Sequence, residues 1–527
     1  MTAHTGTARL LRLALRRDRV LLPTWLTAFL LLALTSATAT EGLFPTTESL
    51  VRGARVLNAS PALVAVYGRI HDETSLGAVA MLKAMGTGAV LLAVLMIVLV
   101  VRHTRAEEQS GAHELLRCGV VGRQAPLTAA LLLCTGTTAV LSALTAVGLA
   151  LSGLPATGAL AFALAWAGIA LVFTGIAAVT AQLVPSSRAA TGSAVGVLAA
   201  AYLLRAVGDT TGPAWLSWLS PVGWSQAVRP FAGDRWWVFL VSLTATALAV
   251  ALAYRLQARR DDRAGVLAEH AGAVSHRGPT TAAGLAWRLH RGAALAWLVG
   301  FAFYGVLVGS VAGSAADLLA SPEARAVFTA LGGDKAPADT VLTAMFGLLG
   351  VLGAAYGVHA VAAVATEETA ARADALLSTP TSRLRWAGSH LAVALLGTAS
   401  LLLTAGLTTG VAHALRTADP AQLTRVLGAA AVHIPAAWVL VGIAALCCGS
   451  SPRAVPVAWS CLVGFLLLAE LGPLLELDEW VYELSPFAHV PKLPGAEVAA
   501  TPLLALVAVT ALLAGAGLFV LRRRDID

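Results

Sequence analysis

Residues 86–108 read GTGAVLLAVLMIVLVVRHTRAEE, and residues 346–368 read FGLLGVLGAAYGVHAVAAVATEE. Each stretch contains an apolar run suited to a bilayer, whose hydrocarbon core takes about 20 helical residues to cross. Each stretch also ends in two glutamates, so that at an offset of 260 Glu107 falls on Glu367 and Glu108 on Glu368. The chain therefore carries the same pattern twice, an apolar run followed by two glutamates. These runs predict a fold built from membrane-spanning helices.

The composition of the whole chain supports this interpretation. Hydrophobic residues make up 57% of the 527 residues and charged residues 12%, about half the charged share of a soluble domain. Such a chain has too little polar surface for a water-soluble protein of this size. Because helices satisfy their own backbone hydrogen bonds in lipid, we predict an all-α, polytopic membrane protein.

Long apolar runs divide the chain into two halves. We predict twelve transmembrane helices, at 20–38, 77–101, 125–151, 157–183, 189–207 and 236–256, then at 293–314, 341–363, 389–414, 426–449, 454–473 and 500–521. The polar stretch between the sixth and seventh helices predicts a cytoplasmic linker. The predicted organisation is a six-helix half over 1–256, a linker over 257–284 and a second half over 285–527. With an even number of helices in each half, the two repeats are parallel.

Arginine placement predicts the orientation. Arginines precede the first helix, follow the second, fill the linker and close the last helix, and all these positions fall on one side of the twelve-helix arrangement. Since cytoplasmic loops carry the excess of Lys and Arg, we expect cytoplasmic termini. The basic residues form no single patch, so nucleic acid is not an expected partner. Abundant Ala and a strong preference for Arg over Lys indicate a bacterium, and hence its inner or plasma membrane.

The repeat extends beyond the paired glutamates. Leu219-Ser220-Pro221 recurs as Leu484-Ser485-Pro486, while Glu114 and Arg123 recur as Asp374 and Arg383. Several weak matches in the same order, at equivalent positions of the topology, indicate a tandem duplication.

The two acidic segments predict a docking surface. In the first segment, Glu107, Gly111 and Glu114 fall on one face of a helix, and the second segment repeats this face. A basic groove of a partner would suit these carboxylates. We assign a coupling role to Glu107, Glu108, Glu114, Leu115, Arg123, Glu367, Glu368, Asp374 and Arg383. The alternative is a solvated loop whose acids pair with Arg102, Arg105 and Arg372.

Other candidate residues lie in the external segments and within the apolar runs. Aromatic residues beside Ser-Pro pairs suggest short broken helices that cap an exit, at Trp218, Ser220, Pro221, Trp224, Ser485, Pro486 and Phe487. A charge in the bilayer needs a partner or a water-filled cavity. On this ground we predict that Lys83 and Glu470 line a substrate path, whereas neutral packing suits the histidines of the runs.

The sequence contains no motif for chemistry of its own. It has no Gly-x-x-x-x-Gly-Lys-Ser/Thr phosphate loop, no zinc-ligand helix and no nucleophile elbow. We therefore expect no catalytic residue, no metal site, no cofactor and no enzyme activity in this chain.

With these segments in place, the chain resembles the ABC-2 type permeases, in particular the fused twelve-helix bacterial permeases known as exporters of polyketide antibiotics, of the tetronasin-transporter kind. The resemblance rests on the acidic segment with its copy, and on the external stretch from Trp218 to Trp237. It implies an interfacial N-terminal helix, a coupling helix after the second spanning helix and short re-entrant helices before the sixth. The second half departs from the pattern, since Ala375 stands where Leu115 does.

The resemblance also implies partners and a function. It implies two copies of a separate ATPase subunit, which bind ATP and magnesium. We predict the permease subunit of an ATP-driven exporter of hydrophobic or amphipathic compounds, such as antibiotics or drugs. A proton-driven secondary multidrug transporter is the alternative, because twelve helices in two parallel halves suit that class too. Against it, no Gly-x-x-x-Asp-Arg-x-Gly-Arg-like loop follows the second helix.

Overall fold

The computed structural model describes residues 3–59, 61–109, 121–210, 213, 215–260, 265–267, 281–318, 337–471, 478–491, 493–494 and 499–525. These residues form α-helices and two short 3-10 helices, and none of them lies in a strand. The predicted all-α class is thus confirmed. The chain divides into two compact units, Met1–Val274 and Ser275–Asp527, and the boundary between them falls within the stretch 257–284 predicted as a linker.

Twelve helices are described in the first unit. They are α1 (Thr7–Arg17), α2 (Leu21–Leu43), α3 (Thr47–Ala59), α4 (Pro61–Tyr67), α5 (Leu76–Arg102), α6 (Arg105–Gln109), α7 (Ala125–Leu151), α8 (Ala156–Leu183), α9 (Ser187–Thr210), α10 (Trp215–Trp218), α11 (Pro221–Ala227) and α12 (Trp237–Arg259). The short amphipathic helix α1 precedes the first long helix and packs against α7.

The second unit has nine described α-helices. They are α13 (Ala282–Leu318), α14 (Pro337–Thr369), α15 (Arg372–Leu377), α16 (Arg383–Thr417), α17 (Ala421–Ala431), α18 (Ile434–Ser450), α19 (Val455–Leu471), α20 (Glu479–Glu483) and α21 (Ala500–Arg523). Short 3-10 helices lie at Pro452–Ala454 and Pro486–His489.

Eleven of the described helices are long and apolar enough to cross a membrane, which confirms a polytopic membrane protein. Six belong to the first unit: α2, α5, α7, α8, α9 and α12. Five belong to the second: α13, α14, α16, α17 continuing into α18, and α21. The run predicted at 454–473 corresponds to α19, a shorter helix of 17 residues. The exact count of twelve is therefore not confirmed by the described residues.

Both units place their second and fourth long helices at the centre. In the first unit, 72% of the apolar window of α5 and 78% of that of α8 are buried, against 22% for α2 and 17% for α12. In the second unit, α14 and the α17–α18 pair are each 67% buried, against 22% for α21. The last long helix packs on the fourth in both units, α12 on α8 and α21 on α18. The two units therefore share one internal arrangement.

Glycine allows the closest of these helix contacts. A Cβ atom on Gly449 would lie 2.1 Å from the carbonyl oxygen of Gly517, and one on Gly517 would lie 2.5 Å from the carbonyl oxygen of Ala445. Both distances are shorter than any real contact, so larger residues would push α18 and α21 apart. Small residues that let backbones approach are typical of helix pairs in membranes.

The run predicted at 426–449 is not a single helix. It consists of α17 and α18, which meet at Val432 and His433, and Pro435 is the second residue of α18. Proline has no N–H to donate to the preceding turn, which accounts for a break at this position.

Candidate functional site

The acidic segment of the first unit begins two residues after α5 and is bound to α1. The Nη1 atom of Arg17, at the end of α1, donates a hydrogen bond of 2.5 Å to Oε1 of Glu107. The same oxygen lies 3.7 Å from Nδ1 of His103. The side chain of Glu107 is 16% exposed and that of Arg17 is 51% exposed. Glu107 therefore faces its own bundle more than solvent.

Glu108 lies deeper and pairs with two arginines. Nη1 of Arg105 donates to Oε2 of Glu108 at 2.7 Å, and Nη1 of Arg260 donates to the same oxygen at 3.1 Å. Both guanidinium groups are buried. Arg260 also donates from Nε to Oε1 of Gln182 at 2.6 Å, while Arg105 donates from Nε to the carbonyl of Ala181 at 2.9 Å. Glu108 thus joins the ends of α5, α8 and α12.

Arg123 completes this arrangement from the start of α7. Its Nη2 atom donates to the carbonyl oxygen of Gln257 at 2.9 Å and to that of Arg260. In return, Nε2 of Gln257 donates to the carbonyl of Arg123 at 3.0 Å. The last carbonyls of a helix have no partner within the helix, and Arg123 supplies one for α12.

The second unit repeats the same contacts. Nη2 of Arg524, just after α21, donates to Oε2 of Glu368 at 2.6 Å. Arg383, at the start of α16, donates to the carbonyl oxygen of Arg524. We call each set an arginine clasp. The first clasp consists of Glu108, Arg123 and Arg260, and the second of Glu368, Arg383 and Arg524.

The clasps account for four of the nine residues predicted to couple to a partner: Glu108, Arg123, Glu368 and Arg383. Charge-assisted hydrogen bonds of this kind are stronger than neutral ones. In this structure the carboxylates of Glu108 and Glu368 face arginines of the same chain, but they are largely buried, and of the arginines named in the alternative only Arg105 is among their described partners. Glu367 is buried as well, whereas Asp374 on α15 is exposed. Glu114 and Leu115 lie outside the described residues. The docking role of the whole set stays a prediction.

Sequence reasoning missed the two partners that close the clasps. Arg260 and Arg524 were interpreted only as charges that set the orientation. Each directly follows the last long helix of its unit, Arg260 after α12 and Arg524 after α21. This equivalence is visible in the sequence and offers the signal that could have found them.

The predicted external segments contain short helices in the described residues. Ser220 precedes α11, where its hydroxyl accepts from the N–H of Gly223 and donates to the carbonyl of Ala201 at 2.6 Å. Nε1 of Trp224 donates to the carbonyl of Trp218 at 2.6 Å. Pro221 is the first residue of α11. The structure therefore builds a local cap of α11 against α9, and its role at an exit stays a prediction.

The equivalent residues of the second unit form a shorter element. Ser485 accepts a hydrogen bond from the N–H of Phe487 and precedes the 3-10 helix that begins at Pro486. Ser485 and Pro486 are buried, and Phe487 packs against the core of this unit. The Ser-Pro pair starts a short helix in both units.

The two residues predicted to line a substrate path are not brought together by any described contact. Lys83 is exposed on α5. Glu470 lies within α19, but its side chain is outside the described residues. Their role stays a prediction.

Asp18 and Arg205 are further charged residues that are buried near helix ends. Asp18 is fully buried just before α2, with Oδ2 at 2.5 Å from Nε2 of His103 and Oδ1 at 3.2 Å from Nη2 of Arg102. Arg205 on α9 is also fully buried and donates to the carbonyl of Val66 at 3.1 Å.

The fold and the paired clasps define a class: a multi-pass α-helical membrane protein with two similarly built units. A family model described as the C-terminal domain of the multidrug efflux system permease Rv1217c matches residues 8–255 and 280–522. The multidrug efflux system permease protein Rv1217c of Mycobacterium tuberculosis (strain ATCC 25618 / H37Rv) is 44% identical over 533 residues, which cover 100% of this chain and 96% of that protein. The chain belongs to this permease family.

Proposed function

We propose that this protein is the permease subunit of a multidrug exporter that is driven by ATP hydrolysis on two copies of a separate subunit. The observation that carries the proposal is the similarity, over the full length, to a protein named as a multidrug efflux system permease. The absence of a phosphate loop from the sequence supports an energy source in another chain. ATP and magnesium would bind that partner. The exported compounds would be hydrophobic or amphipathic.

The clasps suggest how a movement of the partner ATPase subunit would be transmitted within each unit. In the first unit, α6 carries Glu107 and Glu108, and Glu108 is bound to Arg260 at the end of α12. A displacement of α6 would therefore move α12, because a buried ion pair resists separation. The second unit has the same connection from Glu368 to Arg524. These two connections would suit a mechanism in which each unit switches state by a rigid-body movement.

A purification and a transport assay test this proposal. The tagged permease is purified from its native membrane, and mass spectrometry identifies the chains that accompany it. The complex is then reconstituted in vesicles with a fluorescent drug. We expect a chain that carries a phosphate loop, and drug movement that needs hydrolysable ATP and persists when a protonophore collapses the proton gradient. Transport by the permease alone, driven by a proton gradient without ATP, would overturn the proposal.

One observation favours the second candidate, a proton-driven secondary transporter. Asp18 and His103 form a buried pair of titratable groups 2.5 Å apart, and proton-coupled transporters carry such pairs. The same vesicles decide between the candidates. If protons drive transport, an Asp18→Asn variant abolishes drug movement under a proton gradient. If ATP drives transport, the rate of ATP-driven drug movement per folded molecule is the same in the variant and in the native protein. A proton gradient alone then moves no drug through either protein.

A further inference from the structure

A cavity of about 420 Å³ lies in the first unit, at the end of the bundle opposite to the N-terminus. Three segments line it: the loop between α4 and α5, the end of α9, and the stretch from α10 to the start of α12. Its lining includes Arg69, His71, Asp209, Trp218, Arg229 and Arg235. The orientation predicted from the sequence places this cavity on the external side. Neither the clasps nor the proposed coupling uses it.

The cavity carries more positive than negative charge. Among the described residues, Arg69, Arg229 and Arg235 form no ion pair and donate no side-chain hydrogen bond to the protein. The Nε atom of Arg229 is buried without a partner. Asp209 is the one acid in the lining, and its Oδ1 atom accepts a hydrogen bond of 2.6 Å from Ser217. Three guanidinium groups therefore face a space that lacks a matching set of anions.

Nearby acids are occupied elsewhere. Oδ1 of Asp72 accepts from the hydroxyl of Thr74 at 2.6 Å, and Oδ1 of Asp234 accepts from the N–H of Phe231 at 2.9 Å. Oε2 of Glu73 pairs with Arg55 at 3.2 Å. None of these acids forms an ion pair with Arg69, Arg229 or Arg235 in the part of the chain that the structure describes.

The loop that presents two of the arginines is held in a specific conformation. Arg229 and Phe231 have φ angles of 53° and 60°, in the left-handed region that non-glycine residues rarely adopt. The N–H of Arg235 donates to the carbonyl of Val228 at 2.7 Å. The ring of Phe231 lies where a Cβ atom on Gly158 would be, at 2.2 Å. A backbone held in an unusual region by its surroundings is typical of ligand sites, and a preorganised loop reduces the entropic cost of binding.

An apolar pocket adjoins the charged one. It shares Arg69, His71, Gln226 and Arg229 with the first cavity, and its other lining residues include Tyr67, Met81, Leu82 and Met85. Methionine adapts its shape to apolar ligands of varied form. This pocket has a volume of about 50 Å³, so a molecule with a charged end and a short apolar group would meet arginines on one side and methionines on the other.

We propose that this basic cavity binds the anionic head group of an amphipathic compound, with a carboxylate between Arg229 and Arg235. Guanidinium groups bind carboxylates through two parallel hydrogen bonds, a geometry that lysine does not offer. The stretch 487–499 that follows Ser485-Pro486 in the second half contains no arginine, so the sequence does not repeat Arg229 and Arg235 there. The role of this cavity as an export site rests on the proposed function, whereas the binding of an anion in it does not.

His71 supports the assignment. Desolvation, together with the positive charges of Arg229 and Arg235, lowers the pKa of His71 to about 4. The imidazole is therefore neutral near neutral pH and adds a hydrogen-bonding group without further charge. An anion placed between the arginines would partly cancel their field and raise this pKa.

Binding is tested on the full-length permease in a non-ionic detergent, without any ATPase and without transport. The probe is dodecanoate, and dodecanol is its uncharged counterpart. We expect dodecanoate to bind at least about tenfold more tightly than dodecanol, a factor that corresponds to ~1.4 kcal/mol. The variant R229Q/R235Q should lose this preference. The control R188Q replaces an exposed arginine at the opposite end of α9 and should keep it.

Thermal unfolding shows whether the double variant is folded. If it is not, R229K/R235K replaces it and should show a reduced preference, since lysine keeps the charge but not the paired geometry. Equal binding of dodecanoate and dodecanol by the native protein, or an unchanged preference in the folded variants, would overturn the proposal. Failure of ATP-driven transport in the earlier assay would leave these binding results unaffected.

Two sources supply such an anion: a free amphipathic compound and an anionic lipid. Nanodiscs with and without phosphatidylglycerol distinguish them. If lipid occupies the site, phosphatidylglycerol weakens dodecanoate binding in the native protein but not in R229Q/R235Q. If only free compounds enter, phosphatidylglycerol has no effect on native binding. Either result supports the site and identifies its ligand.

Discussion

The Nη2 atom of Arg524 lies 2.6 Å from Oε2 of Glu368 and binds the end of the last helix to the end of α14. The equivalent contact in the first unit joins Arg260, just after α12, to Glu108 on α6. In both units the last long helix is therefore held at its end by an acid that lies at or just after the end of the second long helix. The two units therefore share an ion pair and not just a pattern of charges.

Removing the acid from the second clasp should destabilise its unit. The side chain of Glu368 is 5% exposed and that of Arg524 is 20% exposed, so the variant Glu368→Gln leaves a largely buried guanidinium without its charge partner. We expect a loss of about 1–3 kcal/mol in the free energy of unfolding, seen as a lower Tm in detergent. The control Asp374→Asn changes an exposed acid and should leave Tm nearly unchanged.

A double-mutant cycle isolates the contact between the two residues. Arg524→Gln and the double variant complete the cycle. We expect the double variant to lose less stability than the sum of the two single losses, because the interaction can be lost only once. Additive losses would show that the pair contributes nothing beyond its separate side chains.

Glu108→Gln should cost more stability than Glu368→Gln. Glu108 compensates both Arg105 and Arg260, whose side chains are 1% and 5% exposed. Without the carboxylate, both buried guanidinium groups would lose the ion pair that Glu108 makes with them. Loss of one partner from a buried pair costs about 3–5 kcal/mol. The ranking of the two Tm shifts, measured in the same detergent, checks this; a larger shift for Glu368→Gln would contradict it.

The sequence predicted the helical class and the repeat because both depend on patterns along the chain. Long apolar runs located the helices α5 and α14, and the equal offset of Glu108 and Glu368 identified equivalent positions. It did not show which way these acids face. A carboxylate at the end of a helix has the same sequence signature whether it meets a partner protein or Arg260 across the bundle.

Contacts between distant residues account for what the sequence left out. Asp18 and His103 are 85 positions apart, and Arg229 reaches the same cavity as Arg69. Nothing in the local spacing joins such pairs, since only packing of α5 beside the start of α2 or of the external loops brings them together. The break of the run 426–449 was also missed, although Pro435 was a visible signal.

Asp374 offers the sharpest test of the predicted docking surface. It is an exposed acid on α15 in the segment predicted to meet an ATPase. If a basic groove receives this helix, Asp374→Arg should reduce permease-stimulated ATP hydrolysis by about tenfold through like-charge repulsion. Its Tm should not change. The control Glu41→Arg reverses an exposed acid at the end of α2, opposite to the clasps. Equal loss in both variants would remove the case for docking at α15.

The lowered pKa of His71 predicts a pH dependence of stability. Its folded pKa of about 4 lies below the value near 6.5 of an unfolded chain. As pH falls from about 6.5 to 4, the unfolded state takes up a proton that the folded state does not, so the folded state loses stability. His71→Gln removes this penalty. We expect equal Tm values for both proteins near pH 7.5 and a higher Tm for the variant near pH 5, relative to the native protein. The same Tm difference at both values would contradict the assignment.

Arg205 should be among the costliest single replacements in the first unit. It is fully buried, donates to the carbonyl oxygens of Ala65 and Val66, and lies 3.7 Å from Oδ2 of Asp209. Arg205→Met would leave the carbonyl of Ala65 without this donor and the carboxylate of Asp209 without its ion pair, at a cost of about 3–5 kcal/mol.

Two further variants separate lost pairing from lost packing at this position. Adding Asp209→Asn to Arg205→Met should recover part of the Tm, because the uncompensated charge is gone. Lys83→Met replaces an exposed lysine on α5 and should change stability by less than about 0.5 kcal/mol. Thermal unfolding of the four proteins in one detergent gives the comparison. If Arg205→Met unfolds at the native temperature, the buried guanidinium does not hold the segment of Ala65 against α9.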